Sequence, residues 1–380
     1  MPTRKIYADA RAVAEALRPS YPIYCLDLAG LGEHARKFLG AFPGRVLYAV
    51  KCNPYSRIID TLYNAGVRHF DTASLAEIAQ IRETHPEAEA YFMNPAKARA
   101  VIRTAYEVYA VRHFVVDHAS ELEKIRQCLG AAGDIVIHVR LKTSETKVLF
   151  DLASKFGAPF DEAVALLSAV HERGLQCGLA FHVGSQCLSA QAYSDAIALC
   201  ARVMEQAGVH VDYLDVGGGF PAYYPGQTIA PLQDYFATVT GELKRLGLDK
   251  DIILMCEPGR ALVTDYCSLL TQVLLRKENS IYINDGIYGS LSELVLTRIR
   301  LPMRAIRLHG ELSSGARMFT VYGPTCDSMD VLPDKCELPD DIREGDWIEI
   351  GQLGAYSNAG ATRFNGFCAE TFVEVESTYR

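Results

Sequence analysis

Four apolar runs in this 380-residue chain end in residues able to do chemistry. RVLYAVK (45–51) ends in Lys51, and GLAFHVG (178–184) carries His182 and leads to Ser185. YLDVGGG (213–219) ends in Gly217, Gly218 and Gly219, and IILMCEP (252–258) leads through Glu257 to Gly259 and Arg260. An isolated lysine at a strand end snorkels to solvent. One drawn into a partly dry mouth has a lowered pKa and becomes a Schiff-base nucleophile. Three glycines after a strand make a tight turn, and they also let backbone N–H groups approach an anion closely. Arg260 adds a charged fork to such a cradle.

These runs belong to a longer series of strand-sized segments. RHFDTAS (68–74), AYFMNP (90–95), HFVVD (113–117) and IVIHVRL (135–141) fill the intervals, making eight, and the first five begin 22 to 23 residues apart. Helix-like segments such as SLAEIAQIRETH (74–85) and SELEKIRQCLG (120–130) separate them. Eight strands alternating with helices predict an α/β fold, a (β/α)₈ barrel of the TIM type. An open doubly wound sheet is the weaker alternative, because no GxGxxG opens the first unit. Barrel sites lie at the C-terminal ends of the strands, so the lysine and the glycine loop share one mouth. From about residue 267 the texture becomes short strands and turns: SLLTQVLLR, SIYINDG, MRAIRLHG, RMFTVYG, DWIEIGQ and ETFVEVE. The expected division is a barrel over 27–266 and a β-rich, sandwich- or barrel-like domain made of 267–380 with residues 1–26, whose YPIYCLDL (21–28) supplies an N-terminal strand.

Glu257 either pairs with Arg260 or faces a pyridine nitrogen and keeps it protonated, the electron sink of pyridoxal phosphate chemistry. His182 is a core histidine by default; its alternative is to lie flat on a cofactor ring. Cys326, in GPTCDSMD, reads as a buried thiol unless its flanking Asp327 and Asp330 mark a polar site. Tyr356, in GAYS, is a core tyrosine or a turn residue aiming its hydroxyl at a ligand.

Composition narrows the class. Lys plus Arg is 38 and Asp plus Glu is 46, a net charge of −8. That balance argues against a nucleic-acid partner. No apolar stretch approaches the roughly 20 residues of a membrane helix, and no secretory signal opens the chain. Eleven scattered cysteines without a CxxC pair read as free thiols in a reducing, cytoplasmic setting, with no metal site.

YAVKCNP, HVGSQ, DVGGGFP, EPGR, NDGIYGS, GPTCDSMD and GAYSNAGATRFNGF, running from 48 to 367, resemble the fold-type-III pyridoxal-phosphate decarboxylases, above all the ornithine decarboxylases. The resemblance implies pyridoxal 5'-phosphate as cofactor and a homodimer with shared active sites. Lys51 resembles the lysine that bonds to the cofactor, Asp71 the acid beneath it, and Arg140 the arginine that positions it. His182 matches the ring-stacking histidine and Glu257 the pyridinium partner. Ser185, Gly219, Gly259, Arg260 and Tyr356, with Gly217 and Gly218, match phosphate ligands. Cys326 and Asp327 resemble residues entering from the second subunit, with Tyr288, Phe364 and Asp330 lining the substrate side. Thr297 stands where ornithine decarboxylases usually carry an Asp for the distal amine, and Glu293 is the alternative acid.

The implied reaction is decarboxylation of L-ornithine to putrescine in polyamine biosynthesis, with L-lysine to cadaverine as a second conversion. A diaminopimelate or carboxynorspermidine/carboxyspermidine decarboxylase is the competing reading, for which Arg298 and Arg300 would meet a distal carboxylate. A racemase of the same fold would set an arginine where Glu257 stands. An inactive binding homologue would lack part of the lysine or cysteine motif, and neither is missing.

Overall fold

The computed structural model describes residues 5–143, 155–297 and 299–380. Its seventeen strands form two sheets. In chain order they are β1 (Ile6–Tyr7), β2 (Ile23–Leu26), β3 (Arg45–Ala49), β4 (His69–Thr72), β5 (Glu89–Phe92), β6 (His113–Val116), β7 (Val136–Arg140), β8 (Gln176–Ala180), β9 (Tyr213–Asp215), β10 (Ile253–Cys256), β11 (Cys267–Lys277), β12 (Ser280–Ile283), β13 (Met303–Ile306), β14 (Ala316–Tyr322), β15 (Cys336–Pro339), β16 (Trp347–Ile350) and β17 (Thr371–Val375).

β3 to β10 are the eight expected barrel strands. All their pairings are parallel, and β10 closes on β3 with Cys256 opposite Val46. Helices intervene as parallel crossovers require. The segment after β4 shows why: Ser74 Oγ accepts from Glu77 N at 3.3 Å, while Glu77 Oε2 accepts from Ala73 N at 2.6 Å. Those two bonds cap the start of the helix Leu75–Thr84, which buries Ile78 and Ile81.

Side chains alternate across each strand, so every second residue enters the lumen. Leu47, Tyr91, Met93, Val115, Val136, Ala180, Tyr213 and Met255 pack together as one cluster. Two-residue steps along the strands lead from this cluster to Lys51, Arg140, His182, Asp215 and Glu257 at the C-terminal mouth.

β1, β2 and β11 to β17 form a second, mixed sheet. β2 lies between β17 (parallel) and β11 (antiparallel), so the N-terminal strand joins the β-rich unit as expected. β11 pairs with β16 through Leu269–Gln272 and with β12 beyond Val273, across a bulge at Val273/Leu275. β1, β15 and the helix Ala10–Leu17 were not evident from sequence. Among the described residues no helix is long and apolar enough to cross a membrane.

The opposite end of the lumen is polar too. Tyr91 OH bonds Arg45, His69 and Glu89 at 3.1–3.2 Å, and His113 Nδ1 meets His138 Nε2 at 3.0 Å. Burial drives His113 down to about 4, against a counter-pull from Glu89. Its folded-state pKa lies below the unfolded value near 6.5, so in that window the unfolded chain binds a proton that the folded chain refuses. Stability is present above about pH 6.5 and is lost as pH falls toward 4, by up to about 1.4 kcal/mol per pH unit for this group. Thermal unfolding followed by circular dichroism from pH 7 to 4 should show that loss, and His113→Gln should flatten it. Equal slopes for the two proteins contradict the assignment.

Candidate functional site

Lys51 leaves β3 in a one-turn 3₁₀ segment, Val50–Cys52. Its Nζ donates to Asp71 Oδ2 at 2.7 Å. Asp71 is 1% exposed, and its Oδ1 has no partner among the described residues. The Lys51 side chain is 43% accessible because it lines an open cavity rather than bulk solvent. Burial alone would lower its pKa; the Asp71 and Glu257 carboxylates outweigh that and raise it, so the resting amine is an ammonium.

That cavity, about 580 Å³, gathers Lys51, Arg140, His182, Ser185, Gly218, Gly219, Glu257, Gly259, Arg260 and Tyr356. These sequence-predicted residues come from five barrel strand ends and the second sheet's unit. Asn94, Pro95 and Phe156 also line it and carried no signal in the sequence. His182 Nδ1 accepts from Gly184 N at 3.0 Å, which places the ring proton on Nε2. Burial, then Arg140 and Lys51, hold its pKa well below the usual imidazole range, so the ring is neutral.

Glu257 stands among like charges. Burial raises its pKa well above the carboxylate range, and Asp215 and Asp71 raise it further. Asp215, fully buried, is pushed up to about 7 by burial first, although Gly217 N donates to its Oδ1 at 2.8 Å. The sequence reading missed Asp215. Its signal was parity: it lies two residues before Gly217 on a strand whose alternate positions face the lumen.

The glycine loop wraps the opposite side. Gly219 has φ +97°, and a Cβ there would fall 2.3 Å from Gly184 O. Arg260 is 4% exposed. Its Nη1 donates to Tyr224 OH at 2.6 Å, and both Nη atoms meet Glu293. Its Nε–H is buried without a partner. Tyr356 takes the left-handed conformation (φ +55°) and is tied to the barrel by Tyr356 N to Cys52 O at 2.8 Å.

A second cluster lies apart from this cavity. Tyr288 OH donates to Asp327 Oδ2 at 2.7 Å, and the Tyr288 and Phe364 rings sit 4.7 Å apart. Cys326 is exposed beside Asn365, with Sγ to Oδ1 at 3.4 Å. Hydrogen bonds from Met329 N and Tyr288 hold Asp327 below the usual carboxylate range. None of these four side chains lines the barrel-mouth cavity of their own chain.

Two expected substrate residues are used otherwise. Asp330 is 2% exposed; it accepts from Ile287 N, Thr325 N and Thr325 Oγ1, so it closes a turn rather than facing a ligand. Thr297 is buried and donates to Glu293 O at 2.9 Å. Arg298 lies outside the described residues. Arg300 lines a separate groove with Leu301 and Pro333, away from the barrel mouth.

Pyridoxal phosphate fits what these residues present. The orphaned Arg260 N–H and the Gly219 cradle suit a phosphate, Lys51 suits an aldehyde, and Glu257 suits a ring nitrogen. Gly219→Ala should therefore empty the site. The left-handed backbone costs a Cβ residue about 1–2 kcal/mol before the clash with Gly184 O is counted. Cofactor affinity should fall about tenfold or more, read by absorbance after dialysis. Full retention of cofactor would remove the loop from the cradle.

The family described as "Pyridoxal-dependent decarboxylase, pyridoxal binding domain" matches residues 28–264. A lysine/ornithine decarboxylase of Selenomonas ruminantium is 34% identical over 331 residues, 85% of this chain and 81% of that one. Ornithine decarboxylase of Schizosaccharomyces pombe is 31% identical over 377 residues, 93% of this chain and 83% of that one. The structure of lysine/ornithine decarboxylase complexed with cadaverine from Vibrio vulnificus superposes with a TM-score of 0.83 at 30% identity, covering 97% of this chain and 98% of that one. With the lysine, the acid beneath it and the anion cradle in one barrel mouth, this chain belongs to the pyridoxal-dependent decarboxylases.

Proposed function

We propose that the chain decarboxylates basic L-amino acids, L-ornithine first and L-lysine second, giving putrescine and cadaverine. The carrying observation is Lys51 Nζ held 2.7 Å from Asp71 in a lumen shared with Glu257 and neutral His182. Similarity to the lysine/ornithine decarboxylases supports the substrate class. Asp327 supports it as well: it is anionic, and among the described residues no cation pairs with it.

Pyridoxal phosphate, when bound, supplies an aldehyde carbon for amines and a ring that withdraws electrons from the bond to the substrate carboxylate. The chain's residues do the rest. Asp71 holds Lys51 Nζ in place through their 2.7 Å hydrogen bond. Glu257 keeps a proton at the ring nitrogen. His182, uncharged, stacks without competing for that proton. Arg260, Ser185, Gly217, Gly218, Gly219, Gly259 and Tyr356 would hold the phosphate, and Arg140 would orient Lys51 and Glu257. Cys326 Sγ delivers the proton that replaces CO₂ at Cα. Asp327 meets the distal ammonium, with Tyr288 and Phe364 walling the side chain.

We propose also that sites are shared across a homodimer, Cys326 and Asp327 of one subunit completing the barrel mouth of the other. Met329, Phe364 and Phe367 are 67%, 42% and 41% exposed around Cys326, an apolar patch that favours a partner surface. The proposed domain division stays at 27–266 and 1–26 with 267–380. All eleven cysteines are free, which supports a cytoplasmic setting.

Mass spectrometry of CO₂ and amine after incubation with basic and diacidic amino acids should give putrescine from ornithine and, more slowly, cadaverine from lysine. A diacidic substrate outrunning both would sink the assignment. Mixing inactive Lys51→Ala and Cys326→Ala subunits should restore about a quarter of native activity, since half the dimers are mixed and each holds one intact site of two. No recovery after verified exchange would put both residues in one chain's site.

A further inference from the structure

Glu293 takes no part in the reaction described above, yet it is bound to the cavity's arginine. It opens the short helix Glu293–Thr297. The preceding turn is fixed by Asp285, whose Oδ1 accepts from Gly286 N at 2.7 Å and Ser290 N at 3.0 Å. Leu294 anchors the helix in the core, and Thr297 Oγ1 bonds back to Glu293 O. The carboxylate, 13% exposed, thus approaches the buried Arg260 from a rigid base. Glu293 Oε2 lies 3.2 Å from Nη1, and Oε1 contacts Nη2. Tyr224 OH takes a further bond from Nη1, and Ser185 Oγ lies 3.5 Å from Nη2. Among the described residues, Nε–H is left without a partner.

We infer that Glu293 is a positioning residue for the cofactor: by engaging both terminal nitrogens of Arg260, it turns the remaining Nε–H edge of the guanidinium toward the phosphate cradle. A guanidinium is a planar fork whose five N–H directions are fixed relative to one another. A carboxylate across its two ends therefore sets the third donor without touching the ligand. Glu293 also cancels the charge of Arg260, which by itself would weaken attraction for a dianion. The two effects oppose, and orientation prevails because a buried guanidinium stripped of its carboxylate must find another partner and swing away. The sequence did not announce this, since the pair spans 33 residues and joins a barrel strand end to the other unit.

The inference rests on Arg260 being a phosphate ligand, so the experiment separates the two claims. Retention of pyridoxal phosphate by holoenzyme is measured by equilibrium dialysis, and the bound phosphate is followed by ³¹P NMR, for Glu293→Ala, Glu293→Gln, Arg260→Met and Arg260→Met/Glu293→Ala. Losing one charge-assisted contact of about 1.5–3 kcal/mol corresponds to ten- to a hundredfold. Glu293→Ala should raise the cofactor Kd by about tenfold or more and shift the ³¹P resonance. Glu293→Gln, keeping one acceptor, should fall between it and the native protein. In the Arg260→Met background Glu293→Ala should add less than about twofold. Tighter cofactor binding in Glu293→Ala would overturn the inference. So would a raised KM for ornithine with unchanged cofactor Kd, which would place Glu293 against the substrate. If Glu293→Ala fails to fold, the Glu293→Gln resonance decides, and an unshifted one counts against the inference. Unaltered Kd in Arg260→Met would instead remove Arg260 from the phosphate site.

Discussion

The site depends on burying three carboxyl groups, Asp71, Asp215 and Glu257, beneath one lysine. Three anions in a desolvated lumen against Lys51 and Arg140 would be prohibitive if all were ionised. The chain relieves the excess by keeping protons. Glu257 is raised far above its usual range and Asp215 to about 7, while Asp71 stays bound to the Lys51 ammonium. The protonation that suits a ring nitrogen is therefore a consequence of crowding acids rather than a property of Glu257 alone. Coupled groups of this kind share protons, so replacing any one of them retunes the others.

A parallel barrel makes that crowding possible. All eight strands deliver their C-terminal ends to one rim, and the two-residue period decides which side chains turn inward. Leu47 leads to Lys51, His138 to Arg140, Ala180 to His182, Tyr213 to Asp215 and Met255 to Glu257. Leu47, Val115 and Met255 form an apolar band between these groups and the histidine–tyrosine cluster at the other end. His113 lies at the far end of the lumen from Lys51, so its acid sensitivity bears on stability.

Much of this was legible because each motif sits where an apolar run stops. Lys51, His182, the three glycines and Glu257 mark strand ends, and spacing alone put them at one mouth. What stayed hidden was decided across long sequence separations. Asp215 looked like an ordinary strand residue, since its meaning comes from Glu257, just beyond the neighbouring strand β10. Asp330 looked like a ligand in an acidic motif; its oxygens instead close a turn against Ile287 and Thr325. Thr297 drew attention as a missing acid, whereas its hydroxyl serves its own helix and the nearby carboxylate, Glu293, belongs to Arg260. β1 and β15 were too short for their alternation to register.

The second sheet's unit is built into the catalytic mouth and does not merely sit beside it. Asn53, two residues beyond Lys51, donates to Gly354 O at 2.9 Å and accepts from Asn358 Nδ2 at 3.0 Å. Those bonds fix the turn that holds Tyr356 at positive φ, a conformation costing about 1 kcal/mol that only a rigid surround sustains. The same unit carries Cys326 and Asp327 on a different loop, outside the barrel-mouth cavity of their own chain, with Met329 and Phe364 exposed. One element thus closes the barrel mouth within the chain, while another carries an acid and a thiol outside it. Asp327 is anionic and, among the described residues, has no cation paired with it, which suits the distal ammonium proposed for it.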